Sequence, residues 1–142
     1  MDEVFIDTAG WAVLFVRTEP QHAQASESFR RWKRQGRRLV TTNYVLAELV
    51  SLFTSPLRVP RPAQFRYIDA IKTAPICRNR PRGPLTGRGR LGPAEIEARQ
   101  GLVIGGAVSF IVMQKRGIVE ALTTDHHFEQ AGFMRLLKLL KP

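Results

Sequence analysis

Apolar residues recur along the chain in two alternating patterns, which predict strands that alternate with helices. Unbroken apolar or β-branched runs predict strands at 4–7, 39–41, 122–124 and 133–137. Apolar residues at helical spacing predict helices at 11–15, 23–34, 44–53, 63–72, 107–115 and 128–131. This alternation is typical of an α/β fold with a parallel sheet.

The same spacing predicts the ends and buried faces of the helices. Gly36 is placed to end the second helix, and either Thr42 or Asn43 can cap the start of the third. The residues predicted to form the apolar faces of the third and fourth helices are Val45, Leu46, Leu49, Val50, Phe53, Phe65, Ile68 and Ile71.

One tract does not fit the alternation. Twelve of the sixteen residues in 78–93 are Arg, Gly or Pro. Glycine is entropically costly in a helix or strand, and proline removes a hydrogen-bond donor. We therefore expect residues 78–100 to be irregular and exposed, with a short helix at 95–100 as the exception.

Composition indicates a single domain over 1–142 with a real core, because 44% of the 142 residues are hydrophobic. The single cysteine, Cys77, excludes a disulfide within the chain and suits a reducing cytoplasm. The acidic start leads directly into a strand, which predicts no signal peptide. The longest apolar run, 101–113, is shorter than the about 20 residues that a membrane span needs.

The net charge of +10 is compatible with binding to nucleic acid. Residues 77–106 hold six Arg and two Glu and so contribute +4 of it. The other basic residues cluster on the second predicted helix and its exit, at Arg30, Arg31, Lys33, Arg34, Arg37 and Arg38. This second cluster is either an RNA-binding surface or a solvated helix face.

Three acids are predicted to meet at one edge of the sheet. Asp7 and Asp125 each lie at the end of a strand and next to a threonine, and Glu48 lies early on the helix that leaves the second strand. The carboxyl ends of parallel strands form the ligand-binding edge of such sheets. A site that offers only carboxylate oxygens suits Mg²⁺ or Mn²⁺, which can activate water for phosphodiester cleavage. Taken singly, each Asp could instead cap a helix.

Three segments resemble the PIN-domain ribonucleases, and most closely the VapC-type toxins of toxin–antitoxin pairs. The segments are FIDTAGW at 5–11, TTNYVLAE at 41–48 and LTTDHHFEQAGF at 122–133. The resemblance covers roughly 4–76 and 107–137. It implies a PIN-like, doubly wound parallel sheet with flanking helices, Mg²⁺-dependent RNA cleavage, a cognate antitoxin and a homodimer.

The resemblance also implies roles for residues of the acidic site. Asp7, Glu48 and Asp125 fall on three of the family's four acidic positions, so Asp7 and Asp125 are expected to bind the metal. Glu48 is expected to complete the coordination shell or orient the attacking water, with Thr8 and Thr124 in support. His126 and His127 are assigned to the turn rather than to the metal.

The fourth acid of the family is absent, because Gly106 stands at its position. The amino acids at 77–84 and 93–105 can each be encoded by several codons. When these possible codons are read one base later, some choices encode an edge strand and a Trp-Ser-Leu segment typical of the family. We therefore hypothesise that residues 77–106 are read in a shifted frame. A genuinely divergent basic loop is the alternative.

The sequence thus predicts a metal-dependent endoribonuclease with impaired activity, which has lost the edge strand and one helix. A site with one fewer ligand should hold the metal and the attacking water less well. Repulsion among the remaining acids should raise at least one carboxyl pKa. The alternatives are a non-catalytic module that binds RNA or an antitoxin, and the inactive product of a pseudogene.

Overall fold

The computed structural model describes residues 3–74, 76–79 and 106–138, with the backbone alone at 76–79. Five parallel strands form one sheet in the order β3-β2-β1-β4-β5. The strands are β1 (Glu3–Ile6), β2 (Arg38–Thr42), β3 (Ile76–Asn79), β4 (Glu120–Leu122) and β5 (Met134–Arg135). Their order runs outward from β1 in both directions, which is the doubly wound arrangement that the sequence predicted.

Helices connect the strands. They are α1 (Thr8–Phe15), α2 (His22–Gln35), α3 (Asn43–Thr54), α4 (Arg61–Thr73), α5 (106–116) and α6 (His127–Gln130). All six helices that the sequence predicted are present, with boundaries shifted by a few residues. No helix among the described residues is long and apolar enough to cross a membrane.

The edge strand that the sequence predicted to be lost is present over its first residues, so that prediction is wrong for 76–79. β3 pairs with β2 from Leu39↔Ile76 to Thr42↔Asn79. Pairing in a parallel ladder uses only backbone groups, so Arg78 and Asn79 can extend an edge strand although they lack β propensity. Residues 80–105 lie outside the described part of the chain, as do the helix predicted to be lost and the short helix predicted at 95–100.

Two other strands differ from their predicted bounds. β4 begins at Glu120, two residues before the predicted start, and ends before Thr123. β5 is confined to Met134–Arg135, within the predicted 133–137. In both places the apolar run extends beyond the ladder, because Thr123 and Leu137 are buried without belonging to a strand.

The core forms around β1, whose Val4, Phe5 and Ile6 are fully buried. One aromatic cluster joins α1, α3 and α4, where Phe15 stacks on Tyr67 with 4.6 Å between ring centroids. A second joins the strands to α5 and α6, where Phe110 meets Phe128 edge-on at 4.9 Å. Aromatic packing therefore holds two groups of helices, α1 with α3 and α4, and α5 with α6.

Two residues assigned to apolar helix faces are exposed, and those predictions are wrong. Val50 is 42% exposed on α3 and Phe65 is 61% exposed on α4. Val45, Leu46, Leu49, Phe53 and Ile71 are buried as predicted. The apolar face that helical spacing predicts is wider than the part of the helix that neighbouring elements cover. Residues at the margin of that face are therefore exposed to solvent.

Local signals set the start of α3, the end of α2 and the close approach of α1 to the sheet. The Thr42 hydroxyl accepts a hydrogen bond from the Val45 amide at 3.1 Å and caps α3, which decides between the two predicted caps. Gly36 ends α2 with φ of 72°, in the left-handed conformation that glycine adopts without strain. α1 approaches β4 so closely that a Cβ at Gly10 would overlap the carbonyl oxygen of Leu122.

Paired charges occupy the amino end of the sheet, where β1, β2 and β4 begin. Arg116 donates two hydrogen bonds to the Glu3 carboxylate, at 2.9 and 2.7 Å. Arg37 donates to Glu120 at 2.7 Å and to the carbonyl of Glu3 at 3.2 Å. The Arg116 guanidinium holds the pKa of Glu3 below its usual range. These pairs tie α5 and the α2–β2 turn to the strand starts.

Candidate metal centre

Asp7 is the first residue after β1 and is positioned by the neighbouring strand β4. Its amide donates to the Leu122 carbonyl at 3.2 Å, and its carbonyl accepts from the Trp11 amide at 3.0 Å in the first turn of α1. The backbone around Asp7 is therefore fixed on both sides. Its side chain leaves the sheet at the carboxyl edge.

Thr123 links the two strand-end aspartates and was missed by the sequence prediction. The side chain is fully buried. Its hydroxyl donates to Asp7 Oδ2 at 2.8 Å and accepts from the Asp125 amide at 3.0 Å. A hydroxyl can do both, so Thr123 orients the Asp7 carboxylate and the Asp125 backbone together. The three consecutive residues Thr123, Thr124 and Asp125 were the available signal, but the sequence does not tell which threonine points inward.

The threonines that were predicted to assist have other contacts. The Thr8 hydroxyl donates to the Val45 carbonyl at 3.4 Å and so connects α1 to α3. Its amide supports the Asp7 carboxylate by a backbone hydrogen bond. The Thr124 carbonyl accepts from Arg135 Nη1 at 2.8 Å, which fixes the segment between β4 and Asp125.

Asp125 lies at the entrance of α6, and its side chain is 42% exposed. Its Oδ1 accepts from the His127 amide at 2.9 Å and from His127 Nδ1 at 2.7 Å. The first of these bonds closes the turn that starts α6. The N-cap residue of α6 is His126, without a side-chain cap, so Asp125 closes this turn but is not the cap that the simple alternative proposed. Its charge also acts on Asp7 and Glu48.

Glu48 lies in the second turn of α3 and is half-buried. The capped start of α3 follows β2, so Glu48 lies at the same edge of the sheet as the aspartates. Burial, as the largest cause, and the negative charges of Asp7 and Asp125 together raise the pKa of the Glu48 carboxyl to about 7. The charges of Asp7 and Asp125 therefore act on Glu48, although of the three acids only Asp125 belongs to a group of ligand atoms within 4.8 Å of one another among the described residues.

The pKa of Asp7 is also raised, mainly because its carboxylate is withdrawn from water. Hydrogen bonds from Thr123 and Thr8 oppose this effect, and the charge of Asp125 adds to it. The prediction that at least one carboxyl pKa would be raised is confirmed, although burial contributes more than repulsion at both residues.

The donor set at this edge fits a hard divalent cation. Asp7, Glu48 and Asp125 offer carboxylate oxygens, and no ion pair joins Asp7 or Glu48 to a basic side chain within the described residues. A bound cation stabilises the ionised carboxylates and lowers pKa values that burial has raised. The chemistry of the residues therefore suits Mg²⁺ or Mn²⁺.

Gly106 is the first described residue of α5. A Cβ built there meets no atom of the described residues within 4 Å. Space therefore exists for a side chain at the position where the resembling family carries an acid.

The basic residues of α2 lie away from the acids. Arg30, Arg31, Lys33 and Arg34 are exposed on the part of α2 that leads to the start of β2, the amino edge of the sheet. Arg30 and Arg34 share Glu27 at 3.2 and 3.9 Å. Of the two alternatives for this cluster, its position favours a solvated helix face.

The sheet order, the flanking helices and the acids at the carboxyl edge define a PIN-like α/β fold. A solved structure with this fold is the VapC20 toxin of Mycobacterium tuberculosis, which cleaves the sarcin–ricin loop. It is 26% identical to this chain, with a TM-score of 0.66, and the match covers 92% of this chain and 96% of VapC20. No family model and no curated protein match the chain.

Proposed function

We propose that this protein is a metal-dependent endoribonuclease of the toxin–antitoxin type. The proposal rests on three carboxylates at the carboxyl edge of a PIN-like sheet, where the pKa values of Asp7 and Glu48 are raised and the charges of Asp7 and Asp125 act on Glu48. Acids from separate elements whose charges are unfavourable without a cation are typical of a functional site. The likeness to a toxin that cleaves RNA supports the same conclusion.

Asp7 and Asp125 would hold Mg²⁺ or Mn²⁺ directly, and Glu48 would complete the shell or orient the attacking water. When bound, such an ion supplies an activated water and neutralises the charge that develops during phosphodiester cleavage. Thr123 keeps the Asp7 carboxylate turned to the site through its 2.8 Å hydrogen bond.

We propose further that activity is impaired because Gly106 provides no ligand. A site with one fewer carboxylate has less negative charge for the cation and less control over the water. The open space at Gly106 supports a direct repair by an acidic side chain.

RNA is the proposed substrate class. We also propose that the chain forms one domain and acts in the cytoplasm. Since VapC20 cleaves the sarcin–ricin loop, a hairpin of that sequence is the first substrate to test. A cognate antitoxin and a homodimer are the proposed partners.

The frame-shift hypothesis accounts for the composition of 77–106 but not for the pairing of β3, which continues to Asn79. Sequencing the DNA across codons 75–108 tests it. A reading frame displaced by one base that encodes Trp-Ser-Leu followed by an acid would support it. An uninterrupted single frame in independent isolates would show that the tract is evolved.

The proposed function is tested by titrating Mn²⁺ into the protein by calorimetry and by measuring cleavage of the hairpin RNA. We expect Mn²⁺ binding that disappears in Asp7→Asn, together with weak, Mn²⁺-dependent cleavage. Asp69→Asn is the matched control, because Asp69 is an exposed acid on α4 and outside the site. It should leave both measurements unchanged.

The same two measurements separate the enzyme from a non-catalytic module. RNA binding without Mn²⁺ binding or cleavage would favour the binding module. Cleavage that persists in Asp7→Asn would show that the acidic edge is not the catalytic site.

A further inference from the structure

A second group of potential metal ligands lies beside the acidic edge, in the turn that begins α6. Asp125, His126 and His127 each offer one ligand atom, and these atoms all lie within 4.8 Å of one another. The two imidazole rings stack with 4.3 Å between their centroids. Both histidines are exposed, so an ion can reach this group from solvent.

The contact between His127 and Asp125 prepares one imidazole for coordination. His127 Nδ1 lies 2.7 Å from Asp125 Oδ1, and a carboxylate can only accept, so Nδ1 carries the proton. In the neutral ring the lone pair is then on Nε2. Metal-binding histidines are commonly oriented by a carboxylate in this way.

We propose that His126, His127 and Asp125 form a site for a borderline transition-metal ion of the Zn²⁺ class. Imidazole nitrogens suit such ions and not Mg²⁺, which selects oxygen ligands. Asp125 takes part either as a ligand or by orienting His127. Because Asp125 is also a proposed ligand for the hard cation, occupation by Zn²⁺ weakens binding of Mg²⁺ or Mn²⁺. The Zn²⁺ site stands without the proposed nuclease function, and only this antagonism rests on it.

One other histidine competes poorly for such an ion, because both of its ring nitrogens have hydrogen-bond partners. The third histidine, His22, has Nδ1 2.8 Å from the Val13 carbonyl and Nε2 3.3 Å from the Ser26 hydroxyl. Cys77 is the one thiol of the chain. Removing that thiol therefore provides a direct control for a site based on sulfur.

Zn²⁺ titration calorimetry on tag-free full-length protein tests the site. We expect one Zn²⁺ ion to bind, with affinity about tenfold or more weaker in His126→Gln and in His127→Gln. His126→Gln is the cleaner variant, because no hydrogen bond to His126 imidazole is described. Cys77→Ser and Asp7→Asn should keep the wild-type Zn²⁺ affinity to within about threefold. Circular dichroism on each variant checks that the fold is kept.

Mn²⁺ titrations on the same proteins separate this site from the acidic one. His126→Gln should bind Mn²⁺ as the wild type does, whereas Asp7→Asn should lose Mn²⁺ and keep Zn²⁺. Zn²⁺ at a concentration that fills the site in the wild type but leaves it largely empty in His126→Gln should weaken Mn²⁺ binding at least about tenfold in the wild type and not in the variant.

Three results would overturn the proposal. They are unchanged Zn²⁺ affinity in both histidine variants, loss of Zn²⁺ binding in Cys77→Ser, and equal loss of Zn²⁺ affinity in Asp7→Asn, which would place the ion among the acids. If Mn²⁺ fails to bind at all, the proposed function fails, but the Zn²⁺ titrations still decide this site.

Discussion

The acids at the two edges of the sheet differ in their partners and in the direction of their pKa shifts. At the amino edge, Glu3 and Glu120 each have an arginine partner at 2.7 Å, and the pKa of Glu3 is lowered. At the carboxyl edge, Asp7 and Glu48 have no basic partner among the described residues, and their pKa values are raised.

Under the proposed function, the acids of the amino edge have a structural role and those of the carboxyl edge a metal-binding one. Ion pairs at the amino edge join α5 and the α2–β2 turn to the sheet, so their charges are satisfied within the protein. The carboxyl edge keeps acids whose charged form is unfavourable in the folded protein, and a proton or a bound cation can compensate them. Substitutions at the two edges should therefore change different measurements.

Thr123→Val should have the largest effect at the carboxyl edge. It removes the donor to Asp7 and leaves the buried Asp125 amide without its acceptor. We expect a loss of about 1–3 kcal/mol in the free energy of unfolding and Mn²⁺ binding about 10- to 100-fold weaker. Denaturant titration and calorimetry measure these effects. Thr123→Ser keeps the hydroxyl and is the control, and a valine variant with normal Mn²⁺ affinity would contradict the positioning role.

Gly106→Asp adds the acid that the resembling family carries at this position, and so should add a further carboxylate to the carboxyl edge. Because a Cβ at 106 meets no atom within 4 Å among the residues that the structure describes, we expect the variant to fold. RNA cleavage should rise about tenfold or more. Gly106→Ala supplies a side chain without a ligand and should not raise cleavage. Equal rates in the Ala and Asp variants would show that the fourth acid is dispensable here.

Arg37→Met should affect the amino edge and leave the carboxyl edge unchanged. It removes the partner of Glu120 and the donor to the Glu3 carbonyl, in a place where the Arg37 side chain is only 15% exposed. We expect a loss of about 2 kcal/mol in the free energy of unfolding, with unchanged Mn²⁺ affinity. Arg34→Met, on the exposed face of α2, should cost less than about 0.5 kcal/mol. Weaker Mn²⁺ binding in Arg37→Met would mean that the two edges are coupled.

Raising the pH should destabilise the metal-free protein through Glu48. Its pKa of about 7 in the folded state lies above the ordinary 4.5, so the folded state binds more protons between these values. The free energy of unfolding therefore falls as the pH rises through this range, and the raised pKa of Asp7 acts in the same direction. Thermal unfolding across this range measures the effect.

Glu48→Gln should flatten this pH dependence, and added Mn²⁺ should raise Tm more above pH 7 than below pH 5. A Mn²⁺ effect on Tm that is equal at both pH values would contradict the role of these carboxylates.

The sequence predicted the features that depend on local spacing. Alternating strands and helices, the end of α2 at Gly36 and the cap at Thr42 follow from periodicity and from the conformations that these residues prefer. The three acids could be located because each follows the carboxyl end of a parallel strand.

What it could not predict depends on neighbours distant in the chain. The inward orientation of Thr123 depends on where β4 ends relative to β1, and the pairing of Ile76–Asn79 depends on the free edge of β2. The exposure of Phe65 likewise depends on how far other elements cover α4. These contacts cannot be predicted from residue type alone.

The contact between Gly10 and Leu122 has a practical consequence for handling this protein. Any side chain at position 10 would force α1 away from β4, and those two elements support Asp7 and Thr123. Gly10→Ala should therefore yield a temperature-sensitive allele that folds in the cold and fails when warmed. If the protein is toxic to its host, such an allele allows cells to be grown at high temperature and the protein to be switched on by cooling.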